Sequence, residues 1–215
     1  MAGAVDLQRF HPSKDGAAIR RELGVPPDAI LAGNVARMVE GRGHVWLLRA
    51  FEAAAARAPQ LWLALIGRGP LKKALREARK KHPFAGRIVE AGYRKDDLDR
   101  MYGALDFHLL LGAGSDGSCR AALEAMAAGK ANIALAEGAL LDSVKPGETG
   151  LLVPRGDVEA LAEALVRLGS DREEARRMGA AARRDAEARF GEERRARETL
   201  EAYRAVWAPW NSGRS

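Results

Sequence analysis

The chain has 215 residues, 47% of them hydrophobic, and a formal net charge of +6, which suits one well-buried globular domain. Its apolar runs are only strand-length and Met1-Ala2-Gly3 opens onto polar sequence, so neither a membrane span nor a signal peptide is expected. The one cysteine, Cys119, excludes an internal disulfide and a cysteine-built metal site.

Val5 to Phe10 with Pro12 reads as a connecting segment, and Arg20 to Leu23 as a short helix ended by Gly24. Ile30 to Ala36 is the first strand, mostly apolar and suited to the centre of a parallel sheet. It runs into the loop Arg37-Met38-Val39-Glu40-Gly41-Arg42-Gly43-His44, followed by an amphipathic helix through Val45, Leu48, Phe51 and Ala55. Two guanidinium groups five residues apart, on a glycine loop before a helix, are suited to hold a diphosphate. Leu61 to Ile66 is a second strand, closed by Gly67-Arg68-Gly69-Pro70, where glycine permits close backbone approach. A basic helix over residues 71–81 precedes a third strand, Arg87 to Ala91, which ends in Gly92-Tyr93-Arg94. Asp96 to Ala104 is a helix whose early acids, Asp97 and Asp99, favour its dipole and are not read as a metal motif.

The fourth strand, Asp106 to Leu111, delivers Ser115-Asp116-Gly117-Ser118-Cys119-Arg120 and a helix expected to start near Ser118. A strand, a glycine turn and a helix N-terminus make an anion site, because free amides and the helix dipole both favour negative charge. Alanines, Leu123 and Met126 cover every side of this helix, which argues burial, and inside it sits Glu124. A buried carboxylate needs a hydrogen-bonding partner in the protein or a ligand rich in hydroxyls. Cys119 could have its pKa lowered at the helix start, but no histidine is near in sequence and a catalytic thiol is not assigned. Histidines 11, 44, 82 and 108 show no ligand spacing, and His44 is expected to cap or to lie at the surface.

Asn132 to Ala136 forms a fifth strand, residues 137–144 a loop, and Gly150 to Pro154 a short sixth strand. Asp157 caps a helix from Val158 to Leu168, and Arg172 to Arg189 and Glu192 to Val206 are long charged helices. Six strands alternating with helices predict an α/β fold, a doubly wound Rossmann-like parallel sheet with its ligand at the carboxyl ends of the strands. Each loop singled out above follows a strand, which points to one nucleotide crevice.

Charge is concentrated in residues 68–87, where eight cations face only Glu77, a local +7 that exceeds the net charge of the whole chain. Such a helix can attract an anionic membrane surface or a lipid-linked phosphate. No aromatic platform accompanies it, so nucleic acid is not expected as a partner.

Asp116, seven intervening residues, and Glu124 followed by Ala125-Met126-Ala127-Ala128-Gly129 resemble the E-x7-E signature of retaining GT-B glycosyltransferases. Val5-Asp6 through Phe10 resembles the family's entry into its second domain, and Glu148 to Pro154 its turn and short strand. The likeness runs to about Trp207 and covers the donor-binding, C-terminal half of a GT-B fold. Arg42 stands for the family's Lys, Ser118-Cys119 for Phe-Gly, and Ala139, Leu141 and Asp142 for Gly, Pro and Glu of a donor loop.

The resemblance implies a nucleotide-diphosphate sugar as donor substrate, no metal and no other cofactor. Arg37 and Arg42 would hold the diphosphate with amides at Gly117, Ser118, Cys119 and Arg120. Asp116 would face the sugar and Glu124 the ribose, while Gly67, Gly69, Gly92, Tyr93 and Arg94 would border the nucleotide. It further implies a linker remnant at 1–12, a donor domain at 13–190, a crossing helix at 191–208 and a disordered tail at 209–215. Trp207 and Trp210 are then expected to be partly exposed, because their acceptor-binding N-terminal domain is missing and the fragment alone should transfer little. The expected setting is the bacterial cytoplasm, with residues 68–87 read as a solvated surface helix that could also contact the inner membrane face. A non-catalytic nucleotide-binding or interaction module is the alternative reading.

Overall fold

Each short apolar run becomes a strand of a single all-parallel sheet in the computed structural model, which describes residues 3–112 and 119–212. The strands are β1 (Ile30–Val35), β2 (Leu61–Ile66), β3 (Ile88–Gly92), β4 (Phe107–Leu110), β5 (Ala131–Leu135) and β6 (Gly150–Val153), in the order β3-β2-β1-β4-β5-β6. Every neighbouring pair is parallel, with Ala32 opposite both Leu63 and Phe107. The order reverses between β1 and β4, and such a switch point opens a crevice at the carboxyl ends of the strands.

Both faces of the sheet are covered, as continuous apolar strands require. On one side α2 (His44–Arg57) and α7 (Val158–Ser170) pack through Leu47, Phe51, Leu161 and Leu165. On the other, α1 (Ala17–Glu22), α4 (Leu98–Ala104), α5 (Arg120–Ala127) and α8 (Arg172–Arg189) contribute Ile19, Met101, Leu123, Met126 and Ala182 to a second core. The remaining helices are α3 (Lys72–Lys80), α6 (Ala139–Ser143) and α9 (Glu192–Ser212). Asp157 and Asp171 cap α7 and α8, their side chains accepting from the amides of Ala160 and Glu174 at 2.9 and 2.8 Å. Each cap of this kind contributes about 1 kcal/mol.

Four local expectations are corrected. Residues 137–144 are not wholly loop, since α6 forms there after Gly138 (φ 52°). Val45 does not join the buried face of α2 but is 55% exposed, one residue off the apolar stripe. The third strand starts one residue late because Arg87 closes a 3₁₀ turn and donates to the carbonyls of Ala55, Ala58 and Pro59. Finally, α9 continues past Val206 to Ser212.

Candidate functional site

Three loops leave the carboxyl ends of β1, β2 and β3 and are laced together by their backbones. Met38 N–H donates to Arg68 O at 2.9 Å, Leu71 N–H to Met38 O at 3.0 Å, and Gly67 N–H to Gly92 O at 2.8 Å. The lacing explains the glycines more directly than ligand approach does. A Cβ at Gly67 (φ +147°) would sit 1.9 Å from Ala36 O, and one at Gly69 (φ +159°) 2.3 Å from Met38 O. On the β4 side, Gly43 seats the start of α2 against Leu111, and Arg42 donates to Gly112 O at 3.3 Å.

Between these loops and α5 lies a cleft of about 810 Å³. Of the residues predicted for the site, Arg37, Arg42, Gly67, Gly69, Tyr93, Arg94, Arg120 and Glu124 line it together. Gly92 does not line it, and its carbonyl accepts from the Gly67 N–H at 2.8 Å. Cys119 is buried, 2% exposed, in a left-handed N-cap position of α5 (φ 49°). The predicted residues Asp116, Gly117 and Ser118 lie outside the described residues, and α5 is described from Arg120.

The cleft also takes in Arg9, Phe10, Arg68 and Lys95, which sequence reasoning did not assign. Arg68 lies with its guanidinium 4.2 Å from the Tyr93 ring centre, a stacked pair that leaves Tyr93 54% exposed. Its place between the two glycines was the one available signal. Arg94 is a structural arginine: it pairs with Glu22 and, at 2.8 Å, with Asp97, and these partners raise its pKa. Asp99 pairs with Lys14 at 3.3 Å. Both acids of the Asp97-Leu98-Asp99 run thus serve ion pairs, and no cluster of three metal-ligating side chains occurs among the described residues.

Glu124 is 9% exposed, and burial pushes its carboxyl above the ordinary value. Its partner is Tyr102, fully buried on α4, whose hydroxyl lies 3.1 Å from Glu124 Oε2 and 3.1 Å from Ala121 O. The hydrogen bond from Tyr102, then the positive charges of Arg120 and Arg9, pull the carboxyl back down. The phenol itself is driven well above its usual range by burial and by that carboxylate.

His44 is not at the surface. It is 3% exposed at the first position of α2, makes no cap, and its Nδ1 has no partner. Burial and neighbouring Arg42 lower its pKa to about 4, so it is neutral at pH 7. His108 is likewise held near 4 by burial, with its Nδ1 2.7 Å from Asn132 Oδ1.

The basic stretch 68–87 carries less free charge than its composition suggests. Arg79 and Arg87 hold backbone carbonyls, Arg76 pairs with Glu90 at 3.0 Å and Lys80 with Glu77 at 2.9 Å. No helix among the described residues is long and apolar enough to cross a membrane. A second cavity, about 350 Å³ between α2 and α3, is lined mainly by apolar residues such as Val45, Leu48 and Leu71. The first cleft, with its convergent cations and one buried carboxylate, is the candidate site.

A model of the glycosyl transferases group 1 family matches residues 15–185. The chain belongs to this family. Among curated relatives, the D-inositol 3-phosphate glycosyltransferase of Kribbella flavida is 34% identical over 94% of this chain. The 2-deoxystreptamine N-acetyl-D-glucosaminyltransferase of Streptomyces fradiae is 35% identical over 88%. The group 1 chain spans about half the length of these relatives, 49% and 48%. Among solved structures, sucrose-phosphate synthase from Thermosynechococcus elongatus superposes with a TM-score of 0.80 at 29% identity, covering 96% of this chain and 52% of that one. The C-terminal domain of a group 1 protein from Francisella tularensis shares the fold across its whole length, with a TM-score of 0.75, 22% identity and 88% of this chain covered. The six-stranded Rossmann-like sheet is that of the C-terminal domain of GT-B glycosyltransferases.

Proposed function

We propose that this chain is the donor-binding part of a retaining glycosyltransferase that takes a sugar from a nucleoside-diphosphate carrier. The observation that carries the reading is the cleft at the switch point, where Arg37 and Arg42 approach from the β1 loop and Glu124 from α5. A diphosphate bridging the arginines would be neutralised by two guanidinium groups and by the start of α5. The same groups would stabilise the negative charge that develops on the leaving nucleotide, so we assign no metal. Asp116 would contact the transferred sugar and Glu124 the ribose hydroxyls. HepE of Anabaena, solved with UDP and glucose, shares the fold with a TM-score of 0.80 at 23% identity, which is consistent with a nucleotide-sugar ligand.

In this reading residues 13–190 form the donor domain, 1–12 a linker and 191–208 the helix that crosses to an acceptor-binding domain. The test is calorimetric titration with UDP, GDP, ADP and their sugar conjugates. One nucleotide should bind, and Arg37→Ala and Glu124→Ala should each weaken it about tenfold or more, since hydrogen bonds to charged groups contribute about 1.5–3 kcal/mol. Absence of binding by the folded chain would overturn the reading. Binding without transfer in a protein that also carries the acceptor domain would assign a non-catalytic module. Enzyme-like turnover by this chain alone would refute the need for a second domain.

A further inference from the structure

The donor cleft contains one carboxylate among the described residues that line it, and that carboxylate is nearly out of solvent. An isolated buried carboxylate tends to pick up a proton, and a protonated acid can accept fewer hydroxyl donors than an ionised one. The usefulness of Glu124 toward a diol therefore depends on what holds it. Facing it are Tyr102 from α4, Arg120 one turn earlier on its own helix, and Arg9 from the entry segment. The two arginines line the cleft, where bound phosphate would compete for them, whereas Tyr102 is fully buried behind Glu124.

Tyr102 is itself locked from both sides. Phe10 meets its ring edge-on at 5.7 Å between centres, and His108 lies at 5.7 Å on another side. His108 stays uncharged near neutral pH, so it adds no competing charge there. A phenol fixed in this way has one proton and two acceptors at 3.1 Å, Glu124 Oε2 and the Ala121 carbonyl, and the ionised carboxylate is the stronger acceptor of the two.

We propose that Tyr102 is a positioning residue for the donor site: its buried hydroxyl anchors Oε2 of Glu124, so that the carboxylate is presented as an anion to the vicinal hydroxyls of the bound ribose. The inference rests on the donor-binding reading and adds to it a residue that touches no ligand. Tyr102→Phe removes the donor and keeps the ring that packs on Phe10 and His108. Without the anchor Glu124 protonates at higher pH, and nucleotide affinity acquires a pH dependence whose midpoint moves up by about one pH unit or more. For a one-unit shift the variant binds about two- to sixfold more weakly between the old and new midpoints and approaches about tenfold below both, and raising the pH restores it.

The experiment measures the Glu124 carboxyl titration by carbon NMR in the whole chain and in Tyr102→Phe. In parallel, UDP, GDP and ADP are titrated calorimetrically from pH 5 to 8, with the 2′-deoxy counterpart of the nucleotide that binds. The expected results are an upward shift of the Glu124 titration and a Tyr102→Phe penalty that shrinks for the 2′-deoxynucleotide and disappears on a Glu124→Gln background. An unshifted carboxyl, or a penalty that persists in Glu124→Gln, would overturn the proposal. If the folded wild type binds none of the nucleotides, the donor reading fails and the presentation of Glu124 to ribose fails with it. The carboxyl titration then separately decides whether Tyr102 anchors Glu124.

Discussion

Burial at the level of single residues sets the pH behaviour of this chain. His44 and His108 are held near a pKa of about 4, against an ordinary 6.5, because the folded interior rejects their charged form. The unfolded chain takes up those protons as pH drops below about 6.5 while the folded chain does not. Stability is therefore lost as pH falls from 6.5 toward 4, by on the order of 2–3 kcal/mol per histidine. Acids held low by arginines, such as Glu22, Glu137 and Glu163, titrate below their ordinary 4.5 and act lower still. Glu124 has the opposite sign, since the cost of burying its charge disappears as it protonates. Urea unfolding at pH 7, 6 and 5 should show the decline, and His44→Gln should flatten it. An unchanged slope in that variant would assign the decline to other groups.

Among the elements, the site is built less by helices than by three neighbouring loops tied at the carboxyl ends of β1, β2 and β3. Gly67 is where the lacing is tightest, with a positive φ and the Ala36 carbonyl where a Cβ would stand. Gly67→Ala should cost about 2 kcal/mol or more, from strained backbone and a contact that neither loop can relieve alone. Because the loops carry Arg37 and Arg68, the same change should weaken nucleotide binding. Thermal unfolding together with titration checks both, and an alanine variant as stable as the parent would show that the loops are free to part.

Across the whole molecule, α9 stands apart. Leu200, Tyr203 and Trp207 fall on one helical face and are 50%, 73% and 64% exposed, while the side chain of Trp210 is outside the described ones. In the enzyme proposed above, this stripe would face the acceptor-binding domain. Tyr203→Ser with Trp207→Ser should change the stability of this chain by no more than about 0.5 kcal/mol. A larger loss in urea unfolding would place the stripe against the domain body instead. Much of this architecture was legible from residue order alone. Short apolar runs located six strands because buried parallel strands need continuous hydrophobic sequence, and Arg37 and Arg42, singled out by their spacing before a helix, do line one cleft. Asp116 and Glu124 were legible as a spacing only. What residue order could not show is which distant groups meet. Tyr102 and Glu124 are 22 positions apart, Gly67 and Ala36 are 31 apart, and Arg9 reaches the cleft from the entry segment. Local sequence determined the elements, since propensity and apolar pattern act over a few residues. Only the packing of α4 behind α5 and of loop on loop decided the partners, because burial and hydrogen bonding act between surfaces that the chain brings together after those elements exist.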